Sequence, residues 1–479
     1  MIVILLGRLG QMILALAAMR FATTFLSPDE MGRMTLILTV TAFFSLLLVS
    51  PAGMFITRRL HAWYESGKLM IYFRYHLVFL LAVSVFAAFA IWLLVALGLL
   101  SINVEQGWLI VLVGSSLVLT TTNQTTISAL NILGYRSWFV WLALLTGAAG
   151  LLASFLLVIG ISKEASIWII GVIIGQAIGG SLGWIVLLRK FKVTETNQER
   201  HSYKDLPRLI PAVFSFVWPL TLTLALAWTQ NQWYRFAFEE RLGIYALGLF
   251  VTGFGISAGI IGALEATLTA YLLPSLYKQI NKAENDGWIR AWSEYAAIVY
   301  SILLMFVVYI CCLAPELTRI LVGPMYQSAV KYVAWGALVE LFRVSAGIIA
   351  LVAHAKMKTK LLLWPGIIGA STSVALVTLL LPAYGEWGVA IGLVLAGVAV
   401  SLSSAIFMLD RTAVSVRWVD AMKLILMGAA LWLVTFVLKS VESTTSPMMS
   451  AVTVAACSGL ALLVILYFAF FKRIRRFAV

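Results

Sequence analysis

The chain has 479 residues, of which 62% are hydrophobic and 11% charged, with a formal net charge of +14 and a mean hydropathy of +1.00. Soluble domains carry about 25% charged residues, so a water-soluble enzyme is excluded. The cations sit mostly in connectors between apolar runs, as membrane topology demands, and this pattern does not indicate a nucleic-acid partner.

The apolar runs are about 20 residues long, enough to cross roughly 30 Å of hydrocarbon. They are too long, and alternate too little, for barrel strands. With every backbone group to be satisfied inside the lipid, helices remain. In chain order, about fourteen spans are expected: 4–26, 34–56, 77–99, 108–130, 138–160, 167–188, 211–232, 244–272, 294–314, 329–353, 361–381, 388–409, 422–439 and 448–471. The first could be mistaken for a secretory signal, because Ala15-Leu16-Ala17 imitates a cleavage site. However, no basic residue precedes the apolar stretch and Arg8 interrupts it, so an uncleaved helix is expected. Pro51 and Pro219 should kink spans two and seven. Gly171, Gly175, Gly179 and Gly183 form a four-residue stripe in span six, a signal for close helix packing. Cys311, Cys312 and Cys457 lie in apolar runs without zinc spacing. His61, His76, His201 and His354 are scattered, so no metal site is expected.

Alternate connectors differ in basic content. One set, with the C-terminal tail, holds 24 of the Lys and Arg residues, the opposite set 7, and Arg8, Arg20 and Arg343 lie inside spans. The asymmetry puts both termini in the cytoplasm. The longest hydrophilic connector, 191–210, reads as an interdomain linker. Glu30-Met31-Gly32 at span two parallels Arg241-Leu242-Gly243 at span eight, and span starts 108, 138 and 167 recur near 329, 361 and 388. Such weak repetition with equal helix counts marks transporter halves. The expected fold is an all-α polytopic membrane protein. Six-helix halves at 1–190 and 211–410 surround a central cavity, and 411–479 adds two helices and a basic cytoplasmic tail.

Several motifs support a resemblance. Leu26-Ser27-Pro28-Asp29-Glu30-Met31-Gly32 resembles the L-x-P-x-E-x-G turn of Wzx-type polysaccharide and O-antigen flippases, in the multidrug/oligosaccharidyl-lipid/polysaccharide exporter superfamily. Gly243-Ile244-Tyr245-Ala246, Leu273-Pro274, Leu321-Val322-Gly323-Pro324-Met325-Tyr326 and Ala383-Tyr384-Gly385-Glu386-Trp387-Gly388-Val389-Ala390 resemble later signatures of the same proteins, in order and at suitable spacing. The sequence departs from the pattern in one place. Related proteins often carry an acid near the end of span seven, where this chain has Gln230-Asn231-Gln232. The resemblance implies a non-enzymatic flippase of a bacterial inner membrane. It would move a polyprenyl-diphosphate-linked oligosaccharide to the periplasmic leaflet by alternating access, for O-antigen, capsule or exopolysaccharide. It also implies membrane lipid, a polysaccharide polymerase and glycosyltransferases as partners. No cofactor is implied beyond proton or sodium coupling.

Moving a diphosphate and a glycan through lipid requires cations and hydrogen-bonding groups facing a wet cavity. Arg8 and Arg20 in span one are about 18 Å apart along a helix and could hand an anion along. Arg8 could equally be an interfacial, snorkelling side chain. Asn123 and Gln124 lie in the polar stretch Thr120–Thr126 of span four, either lining the cavity or bonding neighbouring helices. Gln230 and Asn231 could bond sugar hydroxyls, or belong to an aromatic belt with Trp228 and Trp233. Glu340 and Arg343 can pair at i, i+3. Glu265 has no local partner; it is the candidate for ion coupling, or else pairs with an arginine of another helix.

Three rivals stand against this reading, the first from the same superfamily. A cation-coupled multidrug exporter would need an acidic cavity, yet spans one to six hold no clearly intramembrane acid. A membrane glycosyltransferase or polymerase would need a large outer loop or metal-binding acids, yet Asp29, Asp205, Asp286, Asp410 and Asp420 form no D-x-D pair. A non-transporting scaffold that keeps the fold would have lost its cavity charge, and the charge is present.

Overall fold

A computed structural model describes residues 2–98, 104–190, 198–282, 287–355, 358–409, 418–441 and 447–478. Residues 191–197 of the expected linker, Lys356, and the connector 410–417 with Arg411 and Arg417 lie outside the described residues. The described residues form helices and no strand, and group into two compact units, Met1–Gly248 and Leu249–Val479.

The first unit holds α1 (Ile2–Phe25), α2 (Pro28–Phe44), α3 (Ser50–Glu65), α4 (Leu69–Ala96), α5 (Gln106–Ile132), α6 (Arg136–Gly160), α7 (Ala165–Lys190), α8 (Gln198–Gln232), α9 (Tyr234–Leu242) and the first turn of α10 (Ile244–Lys282). The second holds the rest of α10, then α11 (Gly287–Cys312), α12 (Ala314–Leu321), α13 (Val330–Ala355), α14 (Leu363–Tyr384), α15 (Glu386–Met408), α16 (Trp418–Val441) and α17 (Pro447–Ala478).

Twelve helical segments among the described residues are long and apolar enough to cross a membrane. α1 and α5 match them in length, at 24 and 27 residues. The apolar run of α5 is diluted by Thr120–Thr126. Counting these two gives the fourteen expected. The outer faces suit lipid: α4 exposes Val78, Val85, Phe86, Phe89 and Trp92, and α17 exposes Phe468 at 82%. A surface of that kind in water would be an interaction site or an aggregation hazard. The chain is a multi-pass membrane protein.

Apolar burial between helices gains little in lipid, so close approach must come from small residues. The stripe in α7 provides it. A Cβ on Gly171 would overlap the backbone of Ser154, and one on Gly175 the backbone of Gly150; one on Gly179 would overlap the Thr146 hydroxyl. α7 therefore lies nearly backbone to backbone on α6.

Pro51 produces a specific distortion. Ser45–Val49 form one π-helical turn between α2 and α3, in which the Ser50 N–H reaches back to the Ser45 carbonyl. Pro51 has no N–H for the carbonyl four residues back, Leu47. That carbonyl instead accepts the Thr221 hydroxyl of α8 at 2.9 Å.

The L-x-P-x-E-x-G motif is structural. Leu26 is fully buried. Ser27 caps α2, with Pro28 in its first turn. Glu30 accepts the Ala165 N–H at the start of α7, at 2.8 Å, and pairs with Arg33. Gly32 admits the Ile244 carbonyl. The later Y-G-x-x-G stretch also has local reasons. Gly385 takes φ +55° in the turn between α14 and α15, and Gly388 abuts the Leu380 carbonyl. Glu386 joins α15 to α13 through Lys331 and the Tyr332 hydroxyl.

Candidate functional site

In the first unit, Arg8 is exposed. Its Nη1 donates to Gln11 Oε1 at 3.1 Å, and its guanidinium lies 5.7 Å from the Phe139 ring centre on α6. No carboxylate neutralises Arg8 among the described residues. Gln11 in turn lines a cavity of about 380 Å³ between α1, α6 and α7, with Ala15, Thr146, Ser154, Trp168 and Gln176 among its walls. Arg20 is half-buried. At about 3.6 residues per turn it lies roughly a third of a turn round from Arg8, on the side bearing exposed Leu9 and Ile13. The two arginines therefore do not share one face.

The polar stretch of α5 splits between adjacent residues. Asn123 is buried. Its amide donates to Gln176 Oε1 of α7 at 2.6 Å, and its oxygen accepts the Thr146 hydroxyl of α6 at 3.4 Å. Gln124, about 100° further round the helix, is exposed. The Thr125 hydroxyl and His76 Nε2 lie 3.4 Å apart. A second cavity, of about 330 Å³, lies between α4, α5 and α7 with Thr122, Ser181 and Trp184 on its walls. Gln176 borders both cavities. The sequence reading missed this residue. Its signal was a lone amide inside the glycine stripe, which only a hydrogen-bond partner on another helix explains.

At the end of α8, Trp228 is buried and its indole donates to the Thr39 carbonyl at 3.2 Å. Arg235 donates to the Thr39 hydroxyl at 2.9 Å. This segment thereby fastens α8 and α9 to α2. Asn231 donates to Ala227 of its own helix at 2.8 Å, and Gln230 is half-buried.

In the second unit, the expected Glu340–Arg343 pair is present and Glu265 joins it. Arg343 Nε donates to Glu340 Oε2 at 2.7 Å, and its Nη2 to Glu265 Oε2 at 2.6 Å. One guanidinium thus bridges two carboxylates from α10 and α13, leaving a formal charge of −1. The helices are held in register by the Ser257 hydroxyl, which donates to the Val333 carbonyl at 2.6 Å, and by Gly336 against Phe254. The group is partly exposed, with side-chain values of 39% for Arg343, 34% for Glu265 and 15% for Glu340. The described residues hold no cluster of three His, Cys, Asp or Glu suited to a metal.

Compared with solved structures, the chain is similar to the lipid II flippase MurJ in an inward closed conformation. The TM-score is 0.66 at 16% identity, covering 98% of this chain and 99% of that one. It has the fold of the MOP superfamily transporters. An inward-facing multidrug resistance MATE family transporter of that superfamily matches with TM-score 0.56 and 13% identity, over 83% of this chain and 94% of the other. The eukaryotic MATE transporter AtDTX14 matches with TM-score 0.52 and 13% identity, over 88% and 98%. No family model and no curated protein matches the sequence. These structural neighbours of the MOP fold are transporters and flippases rather than enzymes. The MurJ match spans the MOP fold together with nearly all of the remaining chain.

Proposed function

We propose that the chain is a Wzx-type flippase that moves a polyprenyl-diphosphate-linked oligosaccharide from the cytoplasmic to the periplasmic leaflet of a bacterial inner membrane, for cell-surface polysaccharide synthesis. The observation that carries this reading is the end-to-end likeness to a lipid II flippase, over 98% of this chain. The multidrug transporter matches leave 12–17% of the chain uncovered. The uncompensated guanidinium of Arg8, beside a cavity with amide and hydroxyl walls, suits a phosphate-bearing cargo. Both termini are cytoplasmic in this proposal, from the basic connectors, and the six-plus-six-plus-two division is retained. Arg20, Gln124, Gln230 and Asn231 contribute to the cargo path. A polymerase and glycosyltransferases act before and after the flip. Glu265 serves coupling by exchanging Arg343 for a proton or sodium ion.

One observation favours the second reading, a cation-coupled multidrug exporter: the surplus carboxylate of the Glu265–Arg343–Glu340 group. The deciding experiment compares cells depleted of the protein with cells carrying Arg8→Ala or Arg20→Ala. Build-up of lipid-linked oligosaccharide on the cytoplasmic leaflet after depletion supports the flippase. Normal oligosaccharide levels with heightened drug sensitivity support the exporter. Build-up on depletion but not in the variants keeps the function and removes the arginines from the path.

A further inference from the structure

The last helix ends in a basic cluster that is held in place. The apolar run of α17 ends at Phe471, before Lys472, the first charged residue of the helix, yet the helix continues to Ala478. Phe477 is only 2% exposed. Its carbonyl accepts Gln279 Nε2 of α10 at 3.1 Å, and its ring lies 6.3 Å from the Tyr295 ring of α11. Phe470, one heptad earlier, is buried on the same side. The terminal turns therefore dock on the ends of α10 and α11.

That docking fixes the depth of the arginines. Arg473, Arg475 and Arg476 come two to five residues after Phe471, about 3–8 Å further along the helix at ~1.5 Å per residue. The polar headgroup layer on each side of a bilayer is about 5–8 Å thick, the same reach that these three guanidinium groups have beyond the apolar run. Arg475 and Arg476 are exposed, and none of the three arginines has a carboxylate partner among the described residues. Arg290, at the start of α11, is also exposed, with Glu294 one turn further along the same helix.

We infer that the docked C-terminal turns of α17, with Arg290 at the start of α11, form a built binding surface for the headgroup of an anionic phospholipid. A resident membrane lipid is the occupant, because the surface lies at headgroup depth and wholly within one unit. The inference does not depend on the cargo. Arg presents a planar fork that matches phosphate oxygens, and its charge is least screened where the site is fixed and partly shielded.

The test uses the full-length protein in detergent with equal amounts of phosphatidylglycerol and phosphatidylcholine, read by native mass spectrometry. Wild type should retain phosphatidylglycerol preferentially. Each of Arg473→Gln, Arg475→Gln and Arg476→Gln should lower that preference by about fivefold, following the usual worth of one basic residue at an anionic surface. Phe477→Ala leaves every charge in place and should lower the preference too, because it frees the turns. An unchanged preference in the combined arginine variant overturns the proposal. So does an unchanged preference in Phe477→Ala, which would reduce the surface to diffuse attraction. If the combined variant does not fold, Arg476→Gln alone decides the first point, since its side chain is exposed.

Discussion

Gly248 leaves no room for a Cβ against the carbonyl of Pro28, and Gly32 leaves none against the carbonyl of Ile244. Pro28 and Ile244 are the first residues of α2 and α10, and each glycine is the fifth of its own helix. The contact is thus reciprocal, each helix start resting on the glycine of the other. Gly32→Ala or Gly248→Ala should each destabilise the protein by about 1–3 kcal/mol through overpacking. Gly53 sits in α3 with nothing near its missing side chain, so Gly53→Ala should be neutral or stabilising by about 0.5–1 kcal/mol. Thermal unfolding in detergent measures both, and equal melting temperatures for the three variants would reject the packing account.

The hydrogen bond from Thr221 to Leu47 has a conditional value. Thr221→Val should cost about 1 kcal/mol, because it strands a half-buried carbonyl. In a Pro51→Ala background the backbone can supply its own N–H, and the same Thr221→Val change should cost much less. A double-mutant cycle reads the difference directly; additive costs would show that Thr221 acts elsewhere.

Arg343 separates two carboxylates. Arg343→Gln should destabilise the second unit by about 1–2 kcal/mol, a modest value because the group is partly exposed. Adding Glu265→Gln should recover part of that loss by removing one of the two facing charges. If the second change deepens the loss, the carboxylates hold partners other than Arg343.

Asn123 and Gln124 are neighbours with opposite predicted behaviour. Asn123→Ala removes bonds to Gln176 and Thr146, and should cost about 0.6–1.7 kcal/mol, as for polar contacts between membrane helices. Gln124→Ala breaks no described bond and should leave the melting temperature unchanged. Under the proposed function it should slow oligosaccharide flipping at normal protein levels, measured by accumulation of the lipid-linked intermediate.

The spans were legible because each is a local property: twenty apolar residues either occur or do not. α1 and α5 were legible despite their polar content, since their lengths and flanking turns match those of the other spans. Contacts between distant residues were not legible. The sequence left Glu265 as an ion-coupling group or the partner of an arginine on another helix; that Arg343, 78 residues away, is that arginine follows only from the packing of α10 on α13. Gly243 was paired with Gly32, whereas it ends α9 at φ +84° with open space around it. The residue that packs as Gly32 does is Gly248, five positions on. The L-x-P-x-E-x-G turn served as a family marker, and the structure gives Glu30 a physical task at the start of α7. In α5, residue type alone could not tell Asn123 from Gln124, because the helical rotation that buries one exposes the other.

The bond between Thr221 and Leu47 also makes the two positions unequal in what each tolerates alone. A threonine at 221 is harmless in a helix whether or not residue 51 is proline, since its hydroxyl can fall back on its own helix. A proline at 51 without a donor opposite leaves a carbonyl stranded in the membrane. The hydroxyl is therefore tolerated alone, and the proline depends on it.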